Sequence, residues 1–282
     1  MPFEKEPPGR AQDWPTCDED IAAFVQAAAD LVAAELGGNL VGVYLHGSLA
    51  MGSYFRPKSD LDLLVVCGRP LPVESRRDLA RALVRHMQTR PTVGNLELSV
   101  ITAATARTPQ APVPYELHVS GSWEDAILAD QVDFAASGTD LDLSAHLTHT
   151  RQRGVCLLGT PIEETFGDIG WDAFLAAVED DAAWLLTDHN LMQTPFYGVL
   201  NICRVLQLRQ QMDHQVHSKD EAARWALDDL PATHHDLVRL AWAAYRSGDE
   251  VDPTQRQTGG LDWPEDALIG FRDFARSQLN LG

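Results

Sequence analysis

The chain has 282 residues, 45% of them apolar and 22% charged, an ordinary balance for a globular protein and enough length for two cores. Its formal charge of −19 is not ordinary. A surface of that sign repels nucleic acid and anionic membranes and concentrates cations, which disfavours a polymerase and favours a small cationic partner. Taken in order, the opening MPFEKEPPGRAQDWP is polar and proline-rich, with no apolar signal core. Thr16 and Glu19 then have capping-box spacing ahead of an alanine-rich helix over 21–36, closed by Gly37-Gly38. Two short branched apolar runs, 40–45 and 61–66, read as buried strands. An amphipathic helix is predicted over 73–88, with Leu79, Leu83 and Met87 at helical spacing. The run 95–102 is a strand in which Leu96, Leu98 and Val100 share one face and Glu97 and Ser99 the other. Residues 103–122, rich in Pro, Ala and Thr, read as a loop ending near Trp123. A helix over 140–153 and a short edge strand over 155–158 precede Gly159-Thr160-Pro161, a domain boundary. Beyond it only helices are predicted, at about 171–186, 195–212, 218–228, 231–246 and 263–279. In the second of these, Phe196, Val199, Leu200 and Cys203 form an i, i+3, i+4, i+7 stripe. Ser218 and Glu221 form another capping box, which places Lys219 in a first helical turn.

The chemistry concentrates between the first two strands. Gly47-Ser48 ends one strand, Gly52-Ser53 follows, and Ser59-Asp60-Leu61-Asp62 opens the next. A strand that stops at Gly-Ser and enters a short helix offers free backbone N–H groups to a phosphate. Strand period two puts Asp60 and Asp62 on one face, where their repulsion is relieved by a hard divalent cation. Glu97, on a neighbouring strand, would complete a trio of acids. Each feature alone has a plainer reading: a turn at Gly-Ser, a solvated Asp-x-Asp, an edge strand with Glu97 in water.

Together, G-S-x-x-x-G-x-x-x-x-x-x-S-D-x-D followed by an apolar strand resembles the nucleotidyltransferase signature of the polymerase-beta superfamily. From about Asp18 onward the chain is similar to the adenylyltransferases that modify streptomycin and spectinomycin. The resemblance implies an α+β protein, with a nucleotidyltransferase domain of mixed sheet and helices over 18–158 and an all-helical domain over 159–282. It implies ATP as co-substrate over Gly47, Ser48 and Ser59, and Mg²⁺ held by Asp60, Asp62 and Glu97, with Glu97 also as the base. Arg204, in GVLNICRVLQL, and Lys219, in SKDEAARWA, match the family's phosphate-binding residues. Tyr245, in AYRSG, matches a tyrosine of the nucleotide pocket, and Trp123, in SGSWEDAIL, a tryptophan near the antibiotic. From spacing alone, Arg204 reads equally as a half-buried ion-pair residue and Lys219 as a solvated lysine.

The resemblance also has gaps. Streptomycin-modifying members carry acids and a Trp in the loop before the Arg204 helix. Here that loop reads WLLTDHNLMQTPFYG, where Trp184 and Asp188 are the candidates and Thr194 stands in place of another acid. A spectinomycin-like acceptor is therefore expected to be used better than streptomycin. With phosphate ligands in one half and metal ligands in the other, the reacting groups are expected in a cleft between domains. The alternative is a nucleotidyltransferase acting on another metabolite or on a protein. Cys17, Cys67, Cys156 and Cys203 show no C-x-x-C pair and no zinc spacing, so they read as buried free thiols of a reducing cytoplasm. A cytoplasmic monomer is expected, bound to neither nucleic acid nor membrane.

Overall fold

The computed structural model describes residues 7, 9–136, 138–187, 189–248 and 251–280. The chain forms two compact units, one of residues 12–54 and 59–177, the other of residues 55–58, 178–282 and the described part of 1–11.

The first unit begins with α1 (Glu19–Leu36), whose buried residues Ile21, Val25, Ala28, Ala29, Val32 and Leu36 stand at i, i+4, i+7, i+8, i+11 and i+15, one face of the helix. Its N-cap is Asp18, and the expected capping box at Thr16 does not form. Thr16 instead donates its backbone N–H and hydroxyl to Asp13, closing a 3₁₀ turn over Trp14–Thr16. Gly37, with φ +50°, ends the helix. With the turn after it, α1 is long and apolar enough to cross a membrane, yet its apolar stripe is part of the core.

There follow β1 (Leu40–His46), α2 (Gly47–Ala50), β2 (Leu61–Cys67), α3 (Val73–Met87) and β3 (Leu96–Thr102). β1 runs antiparallel to β2, whereas β2 and β3 are parallel, as the α3 crossover requires. Next come α4 (Ala103–Arg107), β4 (Val113–Tyr115), β5 (Leu117–Val119), α5 (Glu124–Leu128), β6 (Gly138–Asp140), α6 (Leu143–Arg153), β7 (Val155–Gly159) and α7 (Ile162–Thr165). The stretch expected as a loop thus holds a helix and two strands: β5 forms one edge of the main sheet and β4 pairs with β6. The sheet order is β5-β3-β2-β1-β7, a mixed sheet with β7 at the expected edge.

One sheet face, carrying Val43, Leu45, Leu63, Val65, Leu98 and Val100, shares a core with α1 and α3. The opposite face, carrying Tyr44, Leu64, Val66 and Ile101, shares a core with Leu143 and Leu147 of α6 and with Phe166. The Tyr44 hydroxyl bonds the Thr160 carbonyl and the Thr165 hydroxyl, both at 2.8 Å. These ties hold 160–166 to the sheet, so the compact unit runs to residue 177, past the 158/159 boundary drawn from sequence.

The second unit holds the later turns of α8 (Trp171–Leu185), then α9 (Asn190–Gln193), α10 (Pro195–Gln211), α11 (Lys219–Asp229), α12 (His235–Arg246) and α13 (Glu265–Leu279). Its described residues contain no strand. Phe196, Val199, Leu200 and Cys203 of α10 are buried, as their stripe foretold, in a core with Ala222, Ala226, Val238, Ala241 and Phe271. The second capping box is formed: Ser218 N–H donates to Glu221 at 2.7 Å, and Glu221 N–H to the Ser218 hydroxyl at 3.1 Å. Inside this unit Arg246 donates to both Asp220 oxygens at 3.0 and 3.1 Å, and Trp242 Nε1–H donates to Asp220 at 2.6 Å. Residues 55–58 belong here too. Phe55 packs edge-on against Tyr245 at 5.0 Å between centroids, and Arg256 donates to the Lys58 carbonyl at 2.7 Å. Of the cysteines, Cys67 and Cys203 are buried, but Cys17 and Cys156 are partly exposed, unlike the sequence expectation.

Candidate active site

Strand register assembles the acids of the first unit. Asp62 is the cross-strand partner of Glu97 on β3 and of His46 on β1. Partners project to one face, so His46, Asp62 and Glu97 form a row on the face that α6 packs against. The next row holds Tyr44, Leu64, Ser99 and His118. Glu97 therefore lies in an interior strand, not in the edge strand of its plainer reading. Asp60 lies one residue before β2, and its Oδ1 accepts the Asn95 N–H at 2.6 Å.

Gly47 has φ +67°, and a Cβ there would stand 1.9 Å from Asp62 Oδ2. Only glycine allows both that backbone and that approach. Next to it, the Ser48 hydroxyl is buried with no hydrogen-bond partner among the described residues, and Ser59 is buried. A buried hydroxyl without a partner is costly unless a ligand supplies one. No group of three or more His, Cys, Asp or Glu among the described residues is arranged to hold a metal. Two adjacent carboxylates nevertheless fit Mg²⁺, which is commonly held by one or two carboxylates plus substrate phosphates.

A set of histidines not foreseen from sequence surrounds this row. His146 of α6 lies 4.7 Å, ring to ring, from His46, and its Nε2 is 3.0 Å from an Asp142 oxygen. Burial disfavours the imidazolium of His146, but Asp142, by charge and hydrogen bond, with Asp62 and Glu97 beyond it, raises the pKa to about 9. Asp142 is held far below the usual carboxylate range, because His146 outweighs its own burial penalty. His46 is driven well below its ordinary value by burial and then by His146 and His149, so it is neutral at pH 7. His118 is lowered likewise, and its Nδ1 shares a 2.9 Å hydrogen bond with the Ser99 hydroxyl. Only α6's spacing of His146 and His149 hinted at this set, and any solvated helix face looks the same. Trp123 closes the 3₁₀ turn Gly121–Trp123, 38% exposed and edge-on to His118 at 6.4 Å.

In the helical unit Lys219 begins α11. Its ammonium lies 4.5 Å from the Tyr197 ring centroid and 5.6 Å from that of Tyr245. Tyr245 is buried. Arg204 donates to Asn201 Oδ1 at 3.2 Å, and Asn201 Nδ2 donates to Asp181 at 3.1 Å. Trp184 is half-exposed, its carbonyl accepting from Asn190 at 2.7 Å. Asp188 lies outside the described residues.

Comparison with known proteins matches these features. The profile of the aminoglycoside adenylyltransferase C-terminal domain fits residues 164–259. An aminoglycoside (3'')(9) adenylyltransferase of Escherichia coli is 25% identical over 244 residues, 82% of this chain and 87% of its own. A spectinomycin 9-adenylyltransferase of Staphylococcus aureus (strain Mu50) is 28% identical over 216 residues, 74% of this chain and 79% of its own. Over most of its length the chain is similar to the aminoglycoside adenylyltransferases. That similarity marks it as an enzyme of the nucleotidyltransferase class. The crystal structure of a spectinomycin adenyltransferase from Enterococcus faecialis with ATP and spectinomycin shares the fold. The TM-score is 0.73 at 20% identity, over 92% of this chain and 99% of that one.

Proposed function

We propose that the protein transfers AMP from ATP to a hydroxyl of an aminocyclitol or aminoglycoside antibiotic in the cytoplasm, and so confers resistance. The observation that carries this reading is the strand row in which Asp62 stands beside Glu97 and against Gly47. The match of residues 164–259 to the C-terminal domain profile and the names of the relatives support the chemistry.

In this mechanism Gly47, Ser48 and Ser59 receive the triphosphate, and Arg204 and Lys219 neutralise it, with Tyr245 in the nucleotide pocket. Asp60, Asp62 and Glu97 would hold Mg²⁺, which when bound offsets charge on the attacking and leaving oxygens. Glu97 takes the proton from the acceptor hydroxyl. The oxygen then bonds to the α-phosphorus as its bond to the pyrophosphate oxygen breaks. A base so placed contributes about 10²–10⁴-fold, and positioning the two substrates contributes further. Trp123 covers an acceptor ring, and Trp184 and Asp188 meet its polar groups. The net charge of −19 favours capture of a cation. Thr194, the N-cap of α10, stands where streptomycin modifiers carry an acid, which supports a preference for spectinomycin-like acceptors.

The test is incubation with labelled ATP, Mg²⁺ and an aminocyclitol panel, read as pyrophosphate and adenylylated product. Spectinomycin is expected to be adenylylated ahead of streptomycin at equal concentration. Preferred use of streptomycin overturns the ranking. Failure of every drug, with transfer to another metabolite or a protein, overturns the choice of acceptor.

A further inference from the structure

α10 is buried on almost every side. Between residues 195 and 208 only Tyr197 and Arg204 are not buried. They stand seven apart, two helical turns, and so lie on one line of the helix with Asn201 between them. A helix that only had to pack would carry apolar residues along this line too.

Each residue of the line engages a cation or is one. The Tyr197 ring lies under the Lys219 ammonium at 4.5 Å, closer than the Tyr245 ring at 5.6 Å. Asn201 accepts from Arg204 with its oxygen and donates to Asp181 with its nitrogen, which fixes which way the amide faces. Lys219 is also badly placed for its own helix, since a cation at a helix N-terminus opposes the macrodipole. The neighbouring acids Asp220 and Glu221 suit that position, and Lys219 does not. A locally unfavourable residue held by two aromatic faces is the pattern of a functional side chain.

We propose that Tyr197 and Asn201 are positioning residues. The Tyr197 ring holds the Lys219 ammonium and the Asn201 amide holds the Arg204 guanidinium, so that both cations are fixed before a nucleotide's phosphates arrive. This rests on the reading of Lys219 and Arg204 as phosphate ligands given above. Tyr197 contributes its ring face and not its hydroxyl, and Asn201 contributes its oxygen.

The experiment measures ATP binding without acceptor, steady-state kinetics and thermal unfolding for Tyr197→Phe, Tyr197→Leu, Asn201→Ala and Lys219→Ala. Tyr197→Phe keeps the ring and is expected within twofold of the parent. Tyr197→Leu is expected to weaken ATP binding and raise its KM about three- to tenfold, the range one cation–π contact supplies. Its kcat and acceptor KM should hold within about twofold. In a Lys219→Ala background the Tyr197→Leu effect should vanish, because the ring acts through the ammonium. Asn201→Ala should raise the KM for ATP in the same manner. Should the leucine variant not fold, Tyr197→Gln takes its place. Equal damage from Phe and Leu, or additive losses in the double variant, overturns the proposal. So does parent-like ATP binding by Tyr197→Leu when Lys219→Ala is impaired. If Lys219→Ala itself binds ATP like the parent, the phosphate-ligand reading fails first.

Discussion

The sheet unit and the helical unit hold their polar side chains in place by different means. In the sheet unit backbone register does it. Asp62 faces Glu97 because two parallel strands make them partners, and Asp62 can lie on the chain at Gly47 because glycine leaves room. In the helical unit no ladder exists among the described residues, and side chains hold side chains: rings hold Lys219, an amide holds Arg204, and Asp220 holds Arg246 and Trp242. The lesson concerns what each arrangement tolerates. A site fixed by register loses chemistry when one acid is neutralised but keeps its shape, whereas a site fixed by packing loses shape with its anchors.

The largest effect should follow from neutralising the acid row. Asp62→Asn or Glu97→Gln is expected to cut AMP transfer by more than about 100-fold, since even losing a residue that only orients a metal's ligands costs roughly 10–100-fold. The unfolding midpoint should stay level or rise, because like charges no longer repel. Turnover within tenfold of the parent would break the assignment. In the helical unit the counterpart is Asp220→Ala, which leaves the buried Arg246 guanidinium without its carboxylate. That should cost about 3–5 kcal/mol by urea unfolding. A loss below about 1 kcal/mol would erase the contrast between the units.

A third outcome concerns pH. The folded pKa of His146 lies near 9, above its unfolded value of about 6.5. Its contribution to stability is therefore complete below about pH 6.5 and lost as pH rises through 9. The unfolding midpoint should decline between those values, and Asp142→Asn should flatten the decline, since the Asp142 carboxylate is the chief cause of the shift. An unchanged slope in that variant would place the cause elsewhere. The smallest effect is local: Ser218→Ala removes the α11 cap and should cost about 1 kcal/mol. The Tm would register it, while the sheet unit's hydrogen exchange should be unchanged.

What the sequence disclosed follows the same division. β1, β2 and β3 were legible because long apolar runs alternate with glycine turns, and once they pair, the Asp62–Glu97 contact follows from counting. The α10 stripe was legible from its 3.6-residue period. β4, β5 and β6 were not. Each is three residues long, and the first of them follows Pro112 and contains Pro114, so no period develops. Thr16 misled because Asp13 competes for its donors. Tyr197 carried no signal at all, since only folding brings the Lys219 ammonium over its ring.

Residues 55–58 carry one more consequence. They stand in sequence between the Gly47-Ser48 turn and Asp60, yet Phe55 packs in the helical unit, 2% exposed, against Tyr245. The carboxy-terminal half is thus not a transferable cassette. A fragment beginning at residue 178, or a recombinant joining it to a relative's amino-terminal half, inherits the partner ring at position 55 from elsewhere or lacks it. Where that ring is missing, the void should cost on the order of 3–5 kcal/mol. Exchange of halves within such a family would succeed chiefly where position 55 and position 245 travel as a matched pair.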